Sequence, residues 1–223
     1  MTQMAAPKQK APFKLQDLKS FPATYWWLSG MSLISLTTYY QFIGVATKLI
    51  SIKYGLDYDK AKNVPPVVPL ITIPLIPLLT RGVFTYGRKP LMLVLGCAIG
   101  IVAFLAMMLG TQLNPYFVCG LVSLFSSCIY SGFWSCAAIA SEGVHVDMGL
   151  AIMNTIQNLG SFVLPIIVST FIESIDESNA DHFLLLLVGM LSVSLILAVG
   201  LLVSDLRSGG RLSIPERNRP QTH

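Results

Sequence analysis

Residues 90–141 read PLMLVLGCAIGIVAFLAMMLGTQLNPYFVCGLVSLFSSCIYSGFWSCAAIAS, 52 consecutive positions without a charged side chain. An α-helix crosses the hydrocarbon core of a bilayer in ~20 residues, so one span cannot use up this run and two must share it. The division falls in GTQLNPY, where Asn114-Pro115 is a turn signal. The run therefore predicts a helical hairpin inside a membrane, with spans near 90–111 and 115–140.

The rest of the chain agrees. Apolar residues make up 53% of the 223 positions, charged residues 12%, and the mean hydropathy is +0.66. Soluble domains carry about a quarter charged residues. Further uncharged runs at 20–47, 63–80, 148–172 and 182–204 add spans near 24–47, 64–83, 149–172 and 183–204. The fold class expected is an all-α membrane protein of six transmembrane helices. The least regular is the second, VPPVVPLITIPLIPLL, with prolines at 65, 66, 69, 74 and 77. Membrane helices tolerate such residues when neighbours satisfy the freed carbonyls. Pro69, Pro74 and Pro77 mark either a hinge or a simple kink.

With six spans, eleven of the fifteen Lys and Arg fall on one side and four on the other, all four between Lys48 and Lys62. The positive-inside rule then places both termini in the cytoplasm. If the proline-rich segment failed to cross, the split would be the same with the N-terminus outside. The acidic loop 173–181 suits the far side. The expected organisation is a cytoplasmic segment over 1–22, a six-helix domain over 23–205 and a cytoplasmic tail over 206–223. Lys8, Lys10, Lys14 and Lys19 form a basic segment, either a solvated linker or a holder of anionic lipid. Tyr25, Trp26 and Trp27 are expected as an interfacial aromatic belt.

Cys97, Cys119, Cys128 and Cys136 lie in uncharged runs without metal-ligand spacing and are read as small buried fillers. No signal peptide is evident at the N-terminus. No helix interior holds an ionisable residue of the kind a proton relay uses, with Lys48, Arg81 and His182 placed at helix ends. There is no nucleophile–base–acid set on a common face and no glycine-rich phosphate loop. The expectation is a non-enzyme without metal or cofactor, in contact with lipid and not with nucleic acid.

Polar residues concentrate in three helices. Gly30, Thr37, Gln41, Gly44 and Lys48 recur at steps of 3, 4 and 7, as do Ser123, Ser127, Tyr130 and Trp134, then Asn154, Asn158, Ser161 and Pro165 with Gln157 beside them. The third and sixth helices are apolar nearly all round. Amides and hydroxyls at mid-depth either stitch helices together or face a shared cavity, and three stripes together favour the cavity. Gly96 and Gly100 form a GxxxG, read as local packing.

YGRKPLMLVLG, Tyr86–Gly96, is similar to the end of the motif between the second and third helices of a half in the major facilitator superfamily. Gly87, Arg88 and Lys89 match; the motif's acid falls at Phe84 and its leading glycine at Thr80. QFIGVATKLISIKYGLD (41–57), Phe133-Trp134, TIQNLG (155–160) and GGRLS (209–213) follow in order. Together, over about residues 22–215, they resemble the C-terminal half of the lysosomal dipeptide uniporters of the superfamily's domain-containing group.

The resemblance implies one 3+3 half of a 12-helix fold, with the missing N-terminal six-helix half as partner. It implies alternating-access export of dipeptides from the lysosome lumen to the cytosol without obligatory proton coupling, across the lysosomal membrane. It also implies a glycosylated single-pass accessory membrane protein, and the chain has no N-x-S/T sequon of its own. On this reading Tyr40, Gln41, Tyr130, Trp134, Asn154 and Asn158 line the substrate site. Counter-charges for a zwitterionic peptide come from the other half, and Gly87, Arg88 and Lys89 form a cytoplasmic gate. The alternatives are a carrier for another small solute such as an organic anion, or a truncated, non-transporting membrane module.

Overall fold

The computed structural model describes residues 15–109, 113–141, 146–173 and 179–215. Lys8, Lys10, Lys14, most of the acidic loop 173–181 and the first part of the GTQLNPY signal lie outside the described residues. All regular structure among the described residues is helical. After a 3-10 turn, Leu15–Ser20, come α1 (Ala23–Tyr54), the single turn α2 (Tyr58–Ala61), α3 (Val67–Tyr86), α4 (Lys89–Met108), α5 (Pro115–Ala140), α6 (Val146–Glu173) and α7 (Ala180–Arg207). Four of these, α3, α4, α5 and α7, have both the length and the apolar character to cross a bilayer. α1 and α6, of 32 and 28 residues, have the length.

α1 is polar because it is central. It packs on α5, α6 and α7, and close approach on several sides needs small side chains. Its buried hydroxyls are satisfied within the helix: Ser29 donates to the Tyr25 carbonyl, Ser35 to Met31 and Thr38 to Ile34. The helix also runs past its expected end, so Lys48 lies inside α1 and not at its terminus.

Starts and stops follow local chemistry. The Asn114 side chain accepts the Tyr116 N–H at 2.9 Å and Pro115 opens α5, a capped and pre-organised start. α3 holds Pro74 and Pro77 yet stays helical from Val67 to Tyr86. It lies along α5, tied by a Thr72–Ser126 hydroxyl contact of 3.1 Å and a bond from Ser131 to the Ile76 carbonyl at 3.2 Å.

The neighbours define two rows. α3, α5, α1 and α6 stand side by side; α4 lies behind α5, α7 behind α1, and α4 and α7 touch each other. Glycines set the closest approaches. A Cβ at Gly96 would sit 3.0 Å from Cys128 and Ile129, and one at Gly100 would sit 2.6 Å from Leu191 and 2.9 Å from Phe125. The GxxxG therefore packs α4 on α5 and α7 within the chain. Leu93, Phe104, Phe125, Leu187 and Leu191 fill the space between the rows. The outer face of the back row carries Leu185, Val193, Ile196, Val199 and Val203 from α7.

Pro22, Thr24, Ala140, Asp205 and Leu212 gather at one end of the bundle, called here the lower end. At the upper end Lys53 pairs with Asp181 at 2.6 Å, joining α1 to α7. Trp26 and Trp27 are exposed as a belt requires, but Tyr25 is not. Its ring stacks on Phe21 at 4.2 Å and its hydroxyl donates to the Gly149 carbonyl at 2.8 Å, so it anchors α1 to the start of α6.

Candidate functional site on the front row

The three polar stripes divide once the helices are packed. On α5, Ser123 and Ser127 are buried and donate back to the Cys119 and Ser123 carbonyls, so they serve close packing. Further along the same helix Tyr130 is half-buried and Trp134 is exposed. The Tyr130 and Tyr40 hydroxyls meet at 2.9 Å, bridging α5 and α1. Tyr39 lies edge-on to both rings, with centroids 5.5 Å from Tyr40 and 6.1 Å from Tyr130. Trp134 is braced by Phe133 at 5.1 Å. The open face of the front row thus carries a rigid aromatic group with hydroxyls at its edge.

α1 and α6 run in the same direction. Tyr25 meets Gly149, and a Cβ on Gly160 would stand 3.0 Å from the Thr37 hydroxyl and 2.1 Å from Leu33. Gly149, Met153, Gln157 and Gly160 are buried along this seam. Gln157 is 6% exposed and its Oε1 has no hydrogen-bond partner. Asn154 and Asn158, one turn apart, are exposed on the neighbouring face of α6. Of the six residues expected at a substrate site, Tyr40, Trp134, Asn154 and Asn158 are exposed, Tyr130 is half-buried, and Gln41 is buried at 5%. The contacts bring Tyr40 and Tyr130 together. Tyr39 was missed in the sequence because a tyrosine off the polar stripe reads as core.

The lower end is built around Asp205, a residue that sequence reasoning passed over as the end of an apolar run. It is 1% exposed. Its Oδ1 accepts the Leu212 N–H at 2.8 Å, its Oδ2 accepts the Ser213 hydroxyl at 2.7 Å, and its carbonyl accepts the Gly210 N–H at 2.7 Å. GGRLS therefore folds back over the end of α7. Gly209 and Gly210 take φ values of 90° and 68°, conformations that L side chains rarely adopt.

The α3–α4 turn holds this segment from the other side. The Arg88 N–H donates to the Ser213 carbonyl at 3.0 Å and the Lys89 Nζ to the Ile214 carbonyl at 3.2 Å. Gly87, at φ 71°, leaves no room for a side chain, since a Cβ would fall 2.3 Å from the Ser213 oxygen. Arg88 is exposed; Lys89 is fully buried, and it and Asp205 both lie within electrostatic reach of Cys136. Two motifs more than a hundred positions apart, GRK and GGRLS, form one structure. All four cysteines are buried, and no group of His, Cys, Asp or Glu among the described residues is arranged to hold a metal.

The chain is similar to lysosomal dipeptide transporters. It is 25% identical over 209 residues to the lysosomal dipeptide transporter MFSD1 of Homo sapiens, covering 93% of this chain and 44% of that protein. To the protein of the same name from Danio rerio it is 23% identical over 206 residues, and to that of Gallus gallus 24%, covering 92% of this chain in both cases and 44% and 46% of the relative. The chain spans about half the length of the curated relatives it matches. No protein-family model matches it.

Proposed function

We propose that the chain is the second six-helix half of a major-facilitator-type membrane transporter. It would move dipeptides from the lysosome lumen to the cytosol by alternating access without obligatory proton coupling. The observation that carries this reading is the open polar face of the front row, Tyr40, Tyr130, Trp134, Asn154 and Asn158, set against an apolar back row. It occurs in a chain whose relatives, aligned over nearly its whole length, are named as dipeptide transporters.

The packing supports a 3+3 arrangement. Exchanging α1, α3 and α4 with α5, α6 and α7 carries the principal neighbours onto each other: α3 beside α5 becomes α6 beside α1, and α4 behind α5 becomes α7 behind α1. Internal repeats of this kind build rocking carriers with a site near the midplane. The cavity would form where the front row meets the complementary half, and the lower end would be cytoplasmic with both termini. Neutral amides and hydroxyls would pair with the peptide bond while leaving side-chain choice loose, and Trp134 would pack the substrate or its ammonium group. Gly87, Arg88 and Lys89 would shape the cytoplasmic gate. A glycosylated single-pass partner would supply the glycan coat that a chain without sequons lacks.

The test is Asn158→Leu in the assembled transporter. Peptide uptake into vesicles falls at least tenfold with membrane level unchanged. Unchanged uptake with altered stability or association would refute the placing of Asn158 in the transport path and leave it a packing residue.

A further inference from the structure

α3 and α4 follow each other across the short turn Gly87-Arg88, yet they hardly touch. Both pack on α5, which leaves an apolar groove of about 270 Å³ between them at the edge of the bundle. Leu78, Gly82 and Tyr86 line it from α3 and Leu91 and Leu95 from α4, in each case one helical turn apart. Gly82 has nothing within 4 Å of where its Cβ would stand, so the groove is open at its middle. From Leu78 to Tyr86 it runs about 12 Å at 1.5 Å per residue, close to the hydrocarbon depth of one leaflet, half of ~30 Å. Arg88 stands at its lower mouth. The Arg88 N–H is taken by the Ser213 carbonyl, but its side chain is exposed and makes no hydrogen bond or ion pair among the described residues. Among those residues it is also the one non-glycine with a positive φ, 57°, a conformation that glycine or asparagine adopts at lower cost.

We propose that this groove binds an anionic phospholipid from the leaflet at the lower end, with one acyl chain lying over Gly82 and the phosphate on Arg88. The proposal rests on the chain spanning a bilayer, not on what it transports. Charge and shape select the occupant together. A guanidinium presents a planar fork of donors that matches two phosphate oxygens, and no carboxylate lines the groove among the described residues to compete for it. α4 starts at Lys89, so the positive end of its dipole lies at the same level. Tyr86, 79% exposed, adds a hydroxyl from the facing helix. A free phosphate would leave the apolar walls uncovered, and an uncharged acyl chain would leave the arginine unpaired. A zwitterionic lipid fills the groove but sets its own cation close to the phosphate. An anionic phospholipid meets both the walls and the charge, and such lipids are concentrated in cytoplasmic leaflets.

The test uses the chain in phosphatidylcholine vesicles, since both walls of the groove belong to this chain and the site needs no partner. A trace of phosphatidylglycerol or of phosphatidylcholine, each with a photoreactive diazirine on one acyl chain, is cross-linked by light, and peptide mass spectrometry locates the adducts. Adducts within residues 78–95 are expected to form about fivefold more with the phosphatidylglycerol probe, the preference that one arginine near a membrane surface supplies. Arg88→Gln should bring the two probes to equal labelling, and Arg88→Lys should keep a preference. Arg81→Gln, which removes a cation exposed on α3 outside the groove, should leave the preference unchanged. Gly82→Leu, which fills open space without a clash, should lower labelling of the groove by both probes. Unlabelled phosphatidylglycerol should compete and inorganic phosphate should not; competition by phosphate would assign Arg88 to a soluble anion and overturn the lipid site. Equal labelling of the wild type by the two probes, a preference that survives Arg88→Gln, or adducts confined to other surfaces would overturn it as well. None of these results bears on transport, which the Asn158→Leu uptake assay reads separately.

Discussion

Removing the Asp205 carboxylate should release the C-terminal segment from the lower end of the bundle. In the folded chain the Leu212 N–H, the amide of the Arg211–Leu212 bond, is held by Asp205 at 2.8 Å, and the next residue's hydroxyl is held at 2.7 Å. A hydrogen bond to a charged group contributes ~1.5–3 kcal/mol. Two such bonds, which share one acceptor group and so are not fully additive, put the loss near 3 kcal/mol. Trypsin cuts after arginine but needs an extended segment, so cleavage at Arg211–Leu212 tracks the population of the opened form. At 1.4 kcal/mol per decade, Asp205→Ala should raise that cleavage about a hundredfold. Intact-mass spectrometry follows the loss of residues 212–223. Gly87→Ala should give the same result without changing any charge, because its Cβ would collide with the Ser213 carbonyl. An Asp205→Ala chain cut at the wild-type rate would refute the clamp.

Two further outcomes follow from the front row. Gly160→Leu should lower the thermal midpoint in detergent by overpacking the α1–α6 seam, a cost of ~1–3 kcal/mol, whereas Gly44→Leu meets only open space and should leave the midpoint unchanged. Equal effects would mean that the seam is not closed at Gly160. Single cysteines at positions 134 and 158 should react with a charged, water-soluble thiol reagent in membranes, and cysteines at 185 and 199 should not. The four native cysteines are buried and add little background; matching reactivity at all four test positions would rule out a wet front face.

Much of the helical framework was legible in charge spacing. A run of 52 uncharged residues broken by Asn-Pro could be resolved only as a hairpin, and α4 and α5 are placed there. The two nearly all-apolar helices were legible too, and α4 and α7 form the back row. Less legible was which polar residues look outward. Ser127 and Tyr130 belong to one stripe in the sequence, but a serine can fold its hydroxyl onto its own helix and pack as a small residue, and a tyrosine cannot. The end of α1 was misplaced because a lysine was taken as a stop, although the long stem of Lys48 is tolerated inside a helix near its end. The clamp at Asp205 was invisible because its partners, the Leu212 N–H and the Ser213 hydroxyl, are brought to it by a chain reversal over Gly209 and Gly210 that no helical side-chain pattern announces.

The exposure of Asn154 and Asn158 constrains what can lie against the front row. Moving an amide from water into hydrocarbon without a partner costs ~4–8 kcal/mol on the cyclohexane scale. Neither asparagine makes a hydrogen bond among the described residues, so lipid over this face would impose that cost twice within one turn of helix. The exposed face of α7, with Leu185, Val193, Ile196 and Val199, carries no such penalty and is favoured against acyl chains. The two faces of the bundle therefore need different surroundings. The back row suits lipid; the front row requires water, a solute, or the polar face of another set of helices. A half-carrier docked on its complement across an aqueous cavity meets both conditions, whereas an isolated six-helix bundle bathed in lipid on all sides meets only one.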